Sequence, residues 1–305
     1  MGWYFVLLII IGSILLLVII LIFIITLFVT NLITHPHRYS RSEQTLYNEK
    51  QGYNVGINKL KRINIDFKMD DGYIIHGDYN LVNNSKKFCI LLHGHATSRE
   101  GALRYSLIFN ELGYSTILYD ERSHGDNIYK SVTMGYKEAK DLIQIINEVY
   151  KKFGKDIYLG VQGVSMGAAT ALLALQYKPN LKFVVSDCAY SDLKKVIFNV
   201  LKRKHVPTKI ILPLVNFNLK TFYHFQYKDC SPALIISDNK VPILYIHGNS
   251  DSFVPVSSVD DLFNKTTSYK KKVVFDGAEH ASSLTVNREL YKKSIQEFLK
   301  EIEDK

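Results

Sequence analysis

The chain has 305 residues, a formal net charge of +9 from 38 Lys and Arg against 29 Asp and Glu, and 47% hydrophobic residues. That length and apolar content exclude a disordered or fibrous chain and leave room for one enzyme-sized domain with a substantial core. Three cysteines make no disulfide framework, and the basic excess comes without a nucleic-acid reading motif; it reads as a solvated lysine-rich surface with some attraction to anionic lipid headgroups.

From Met1 to Thr34 there is no charged side chain, and from Trp3 to Ile33 nearly every residue is Leu, Ile, Val or Phe. A helix over that stretch would be about 45 Å long, more than the ~30 Å hydrocarbon thickness of a bilayer. It lacks the basic leader, short apolar core and small-residue cleavage site of a secretory signal. Residues 1–34 are therefore read as an uncleaved transmembrane anchor placing the protein in the cell membrane as a single-pass chain, with Trp3 and Tyr4 near one interface and His35, His37, Arg38 and Tyr39 near the other. Arg38, Arg41, Lys50, Lys59, Lys61 and Arg62 follow the anchor and no basic residue precedes it, so the positive-inside rule favours a cytoplasmic domain. Residues 35–60 read as a juxtamembrane linker and 61–305 as one folded domain.

In that domain, short apolar runs near 62–68, 73–79, 88–92, 115–119, 157–161, 182–186, 242–246 and 272–275 read as strands. Amphipathic or apolar helical stretches fall between most of them, clearest at 136–153, 166–177 and 287–302. The alternation predicts an α/β fold with a mostly parallel eight-stranded sheet covered by helices on both faces. Residues 191–237 break the rhythm with a basic helix, Pro207, Pro213 and the aromatic cluster Phe217, Phe222, Tyr223, Phe225 and Tyr227.

Four loops after strands hold the residues that suggest chemistry. Phe88 to Leu92 runs into His93-Gly94-His95, where Gly94 lets the backbone turn so that the His95 amide can face a reacting carbonyl. Ser165 sits in Gly163-Val164-Ser165-Met166-Gly167 between a strand and an alanine-rich helix; the flanking glycines permit a tight turn that lifts the hydroxyl above the sheet and supplies the Met166 amide as a second donor. Asp251 follows the strand ending at His247, and His280 lies in the loop after Phe275. A serine hydroxyl needs a base and an orienting acid to act as a nucleophile, and the order Ser165, Asp251, His280 supplies both. Each has a plainer reading: an Asx-turn aspartate for Asp251, a solvated loop histidine for His280. His93 and His95, two residues apart on a loop without a cysteine or carboxylate at ligand spacing, are not read as a metal pair. No cofactor and no metal are expected.

Taken together, His93-Gly94, Asp120-Glu121-Arg122-Ser123-His124-Gly125, the Ser165 turn, the stretch from His247 to Pro255 and Gly277 to His280 resemble an α/β-hydrolase. The resemblance covers about residues 60–303 and leans toward the bacterial membrane-anchored branch related to prolyl oligopeptidase-like and Bem46-like hydrolases. It implies the α/β-hydrolase fold and a cofactor-free serine hydrolase acting on esters, thioesters or amides of small acyl substrates. Ser165 would be its nucleophile, Asp251 its acid, His280 its base, and the amides of His95 and Met166 its oxyanion hole. That branch usually carries basic residues before its anchor and faces outward, the opposite of what the charges here favour. Where many relatives have a serine after the fourth strand, this chain has Asn127. Asp120 and Arg122 read as a structural ion pair. The insertion at 191–237 falls where this fold often places a lid, which would form the acyl side of the pocket; the alternative is a helix pair packed on the surface. Two other functions share these residues: a peptidase or amidase with the same triad, and a silent binding module on the same fold. Spacing gives no oligomeric state.

Overall fold

The computed structural model describes residues 2–53 and 55–304; Met1 of the anchor, Asn54 of the linker and Lys305 at the C-terminus lie outside the described residues. Helix α1 (Gly2–Thr34) and helix α2 (Arg41–Lys50) precede the sheet. The sheet is built from β1 (Arg62–Lys68), β2 (Ile74–Asn80), β3 (Lys87–Leu92), β4 (Ser115–Tyr119), β5 (Tyr158–Val164), β6 (Phe183–Asp187), β7 (Ile243–Gly248) and β8 (Lys270–Phe275). Its order is β1-β2-β4-β3-β5-β6-β7-β8, with β1 and β2 antiparallel and every pairing from β4 to β8 parallel. This is the doubly covered, mostly parallel sheet of an α/β-hydrolase.

The central strands read as unbroken apolar runs because both of their faces are buried. Successive residues go to opposite sides: Ile90 and Leu92 join one core with Val161, Val184 and Tyr245, while Cys89 and Leu91 join the other with Phe183, Val185 and Ile246. The first core is closed by α4 (Tyr136–Phe153), α5 (Met166–Ala174) and α8 (Ser257–Lys265). The second is closed by α3 (Arg99–Glu111), by Leu284 of the short α9 (Ser283–Val286) and by α10 (Arg288–Glu303), which delivers Tyr291, Ile295 and Phe298.

Residues 191–237 form α6 (Leu193–Arg203), α7 (Thr208–Tyr223) and short turns of 3-10 helix. Their apolar side chains make a third core around Met166, Tyr190, Ile211, Val215 and Phe225, which also takes in Val29 and Ile33 of α1. Helix α7 thus packs on the last two turns of α1, where Asn218 donates from Nδ2 to the Thr30 hydroxyl at 3.3 Å.

Helix α1 has two parts. Every residue from 2 to 21 is exposed, whereas Thr26, Val29, Thr30, Ile33 and Thr34 are buried against the domain. Twenty exposed residues correspond to about 30 Å of helix, close to the apolar thickness of a bilayer.

The segment expected as a linker is largely folded. Ser40 and Glu43 make a capping box that starts α2, and Gln44 and Asn48 are buried. Asn48 donates to the Glu100 carbonyl at 2.8 Å, and Arg41 pairs with the Glu100 carboxylate at 2.7 Å. Upstream, Val132 donates to the Thr34 carbonyl at 2.8 Å and Tyr129 donates its hydroxyl to the Pro36 carbonyl at 2.9 Å. Hydrogen bonding to the domain leaves this stretch little of the freedom a linker has.

Candidate active site

Ser165 joins β5 to α5 at φ 56° and ψ −115°. A positive φ costs a side-chain-bearing residue on the order of 1–3 kcal/mol, so the surroundings must enforce it. The Ser165 amide donates to the Asp187 carbonyl at 2.8 Å. A Cβ at Gly163 would collide with the Gly167 carbonyl and the Ala168 amide, and one at Gly167 would sit 2.5 Å from the His93 carbonyl oxygen and 2.7 Å from Leu92 Cβ. Only glycine at both positions lets α5 start this close to β3 and β5.

Two more loops at the same edge of the sheet meet the serine. Gly248, whose Cβ would strike the Ala278 carbonyl, lets the loops after β7 and β8 lie against each other, and Ser250 donates its amide to the same carbonyl at 3.1 Å. His280 Nε2 thereby comes to 2.8 Å from Ser165 Oγ, and His280 Nδ1 to 2.6 Å from Asp251 Oδ2. The carboxylate can only accept, so Nδ1 carries the proton and Nε2 is left to receive one from the serine. Ser165, Asp251 and His280, predicted 86 or more positions from Ser165 for the latter two, form one hydrogen-bonded chain.

Asp251 also makes the turn expected of its plainer reading. Its Oδ1 accepts the amides of Phe253 at 2.9 Å and Val254 at 2.8 Å while Oδ2 serves His280. Burial works to raise this carboxyl, but His247, whose Nε2 lies 3.5 Å from Oδ2, together with His280 and the Val254 amide holds it well below the usual carboxylate range. It stays an anion facing the imidazole.

Gly94 lies against the serine: a Cβ there would be 3.5 Å from Ser165 Cβ. Among the described residues the backbone amide of His95 finds no hydrogen-bond partner, and the Met166 amide belongs to the first turn of α5, where helix amides lack intrahelical acceptors. The loop carrying His95 is braced by two buried histidines. His93 Nε2 accepts the Glu121 amide at 2.8 Å, so its Nδ1–H donates to the Gly94 carbonyl at 2.7 Å. His124 Nε2 accepts the Ala96 amide at 3.1 Å, and its Nδ1–H donates to the Arg122 carbonyl at 3.0 Å. Burial lowers His93 to about 4 and His124 well below the ordinary range, keeping both neutral in these roles. The His95 ring points elsewhere, bonding through Nε2 to the Ile33 carbonyl of α1 at 3.1 Å.

Asp120 and Arg122 are not partners of each other. Asp120 accepts from the Arg99 guanidinium and, at 2.7 Å, from the Arg99 amide, while Arg122 pairs with Asp141 at 2.6 Å and Asp71 at 2.8 Å. Just past the end of β4 the side chains of residues 120 and 122 leave toward different elements, Asp120 toward the start of α3 and Arg122 toward α4. Burial raises Asp120 to about 6 despite Arg99. Asn127 is buried and donates to the carbonyls of Asp120 at 2.6 Å and Glu121 at 3.1 Å, so it ties down this turn.

A cavity of about 460 Å³ opens at Ser165 and His280. None of its lining residues comes from 191–237, so the insertion is not the pocket wall expected of a lid; its buried apolar side chains pack on α1 and in the third core. The wall is instead supplied by Gln44, Tyr47, Asn48, Gln51 and Tyr53 from the juxtamembrane segment, with Arg104 and Tyr105 of α3. The motif Ser40-x-x-Glu43, a helix-start signature, was the sequence signal for that wall. Of metal-ligand side chains among the described residues, Cys188, Asp251 and His280 bring donor atoms within 4.8 Å of one another. His280 Nδ1 and an Asp251 oxygen are already bonded to each other there, and burial pushes the Cys188 thiol up, away from the thiolate a metal would want.

Residues 119–281 match the family model described as Serine hydrolase (FSH1). The protein YqkD of Bacillus subtilis (strain 168) is 30% identical over 236 residues, which cover 76% of this chain and 77% of that one. Among solved structures, the esterase Pf2001 of Pyrococcus furiosus superposes with a TM-score of 0.67 at 24% identity over 81% of this chain and 95% of its own. Est1E of Butyrivibrio proteoclasticus, solved with ferulic acid, does so with a TM-score of 0.59 at 17% identity over 79% of this chain and 100% of its own. At those identities the two structures share the fold.

Proposed function

Because the chain belongs to the Serine hydrolase (FSH1) family, we propose that it is a membrane-anchored hydrolase cleaving carboxylic ester or thioester bonds through Ser165, His280 and Asp251. The observation that carries this reading is the continuous relay from Ser165 Oγ through His280 to Asp251, with contacts of 2.8 and 2.6 Å. Ser165 Oγ attacks the substrate carbonyl carbon while its proton passes to His280 Nε2, and Asp251 stabilises the imidazolium that results. The carbonyl oxygen, now an anion, is held by the amides of His95 and Met166. Collapse of the tetrahedral species returns the proton to the leaving alcohol or thiol and leaves an acyl-serine. Water, deprotonated by His280, attacks the acyl carbon and releases the acid and free Ser165.

The esterases Pf2001 and Est1E, which share this fold, are in keeping with ester substrates. Membrane attachment rests on α1 and on its neighbour: α7 exposes Ile210, Leu214 and Phe217 at helical spacing, with Phe222 beyond, beside the uncharged helix. The exposed length of α1 suits a single crossing, with α7 at the membrane surface. A fluorophosphonate probe, which traps an activated serine, is expected to label the full chain in neutral detergent and to leave Ser165→Ala unlabelled, together with loss of p-nitrophenyl ester hydrolysis. Equal labelling of both proteins would refute the assignment.

A further inference from the structure

Among the arginines of the domain interior, Arg62, Arg99 and Arg122 each bond at least one carboxylate. Arg104, on α3, differs. Its Nη2 donates to the Tyr105 hydroxyl at 3.1 Å and the Ala281 carbonyl at 2.9 Å, both neutral. The guanidinium carbon lies 4.6 Å from the centre of the Tyr53 ring and 5.1 Å from that of Tyr105. Its Nε is buried without a partner, and among the described residues no carboxylate lies within ion-pair distance of it. Asp187 acts on it only from farther off, its Oδ2 being taken by the Tyr291 hydroxyl at 3.0 Å. Glu279, the one acidic residue lining the same cavity, is exposed and makes no ion pair with it. A half-buried guanidinium whose hydrogen-bond partners are all neutral has charge left to satisfy, and a carboxylate or phosphate is the partner that suits it best. Arg104 lines the cavity that opens at Ser165 and His280, so an anion that satisfies it lies in the substrate's space.

We propose that Arg104 is the specificity determinant of this site and selects ester substrates bearing an anionic group, a carboxylate or a phosphate, alongside the bond cleaved at Ser165. This rests on the reading of Ser165 as the nucleophile. Tyr53 and Tyr105 shield the guanidinium from water on their side, which strengthens its attraction for a charge inside the cavity. Because Arg104 also braces the carbonyl next to His280, substitution affects the turnover of every ester. The ratio between an anionic and a neutral ester of the same length cancels that effect.

The full chain in neutral detergent is assayed with mono-p-nitrophenyl adipate and p-nitrophenyl hexanoate. The expected ratio of kcat/KM values favours the adipate ester by tenfold or more, falls toward one in Arg104→Met and is partly retained in Arg104→Lys. A wild-type ratio at or below one, or a ratio that Arg104→Met leaves unchanged, overturns the proposal. Adipate and inorganic phosphate are then compared as competitive inhibitors of hexanoate hydrolysis by the wild type. Tighter inhibition by phosphate assigns a phosphate-bearing substrate, tighter inhibition by adipate a carboxylate-bearing one, and competition by neither refutes the anion site. Should Arg104→Met fail to fold, Arg104→Lys and the inhibition of the wild type decide. If no ester turns over, a Tm raised by either anion in the wild type and not in Arg104→Lys upholds the anion site while the hydrolase reading fails; no shift in the wild type defeats both.

Discussion

Asp251 shows how one side chain satisfies a structural and a chemical demand at once. One oxygen closes the turn over Phe253 and Val254, and the other holds the His280 ring with its proton on Nδ1. Asp251→Asn keeps an acceptor for the turn but offers an N–H where His280 needs an acceptor, which favours the wrong tautomer. We expect kcat for an ester to fall by roughly 10⁴-fold with the circular dichroism spectrum unchanged. Because the folded protein holds this carboxyl below its usual value of 3.8, the unfolded chain binds the proton more readily as the pH drops. Its contribution to stability is therefore complete above about pH 4 and is lost as the pH falls further through the folded-state value. Thermal melts between pH 2 and 6 should show a shallower acid decline for Asp251→Asn than for the wild type; identical declines would mean that Asp251 is not held as an anion.

The juxtamembrane segment is the element whose role differs most from its sequence. It contributes one wall of the cavity through Gln44, Tyr47, Asn48, Gln51 and Tyr53, and its bonds to Glu100 fasten it to the helix that follows the His95 loop. Removing residues 2–21, all of them exposed, should leave kcat/KM on a soluble ester within about threefold, since that stretch has little packing to lose. Removing residues 2–60 strips the wall together with Ile57 and Leu60, which pack on the second core, and we expect at least a hundredfold lower kcat/KM, or a chain that no longer folds. Comparable activity in the two truncations would show the segment to be dispensable.

At the scale of the whole molecule, α1 joins an exposed apolar stretch to the site: its first 20 or so residues are exposed while the Ile33 carbonyl bonds the His95 ring and the Thr34 carbonyl bonds the Val132 amide. The full chain is expected to stay with membranes through alkaline carbonate extraction and the protein lacking residues 2–21 to be released; extraction of the full chain would remove the case for a spanning helix. Eight strands, the parallel sheet and the Ser165 turn were readable in order along the chain, because each depends on local periodicity and on glycines whose need is set by neighbouring backbone. Residues as far apart as Ser165 and His280 were named as partners from their order along the chain and the resemblance to α/β-hydrolases, and their 2.8 Å contact exists because parallel strands bring their C-terminal loops to one edge. The sequence by itself thus determined the fold, the apolar helix and the residue types at the site. The tertiary structure decided which distant surfaces would share a boundary: that α7 packs on α1, that Arg99 and not Arg122 neutralises Asp120, and that α2 rather than the insertion walls the cavity. Such choices follow from where buried side chains find complementary partners across the molecule, and no local pattern of hydropathy or charge encodes that pairing.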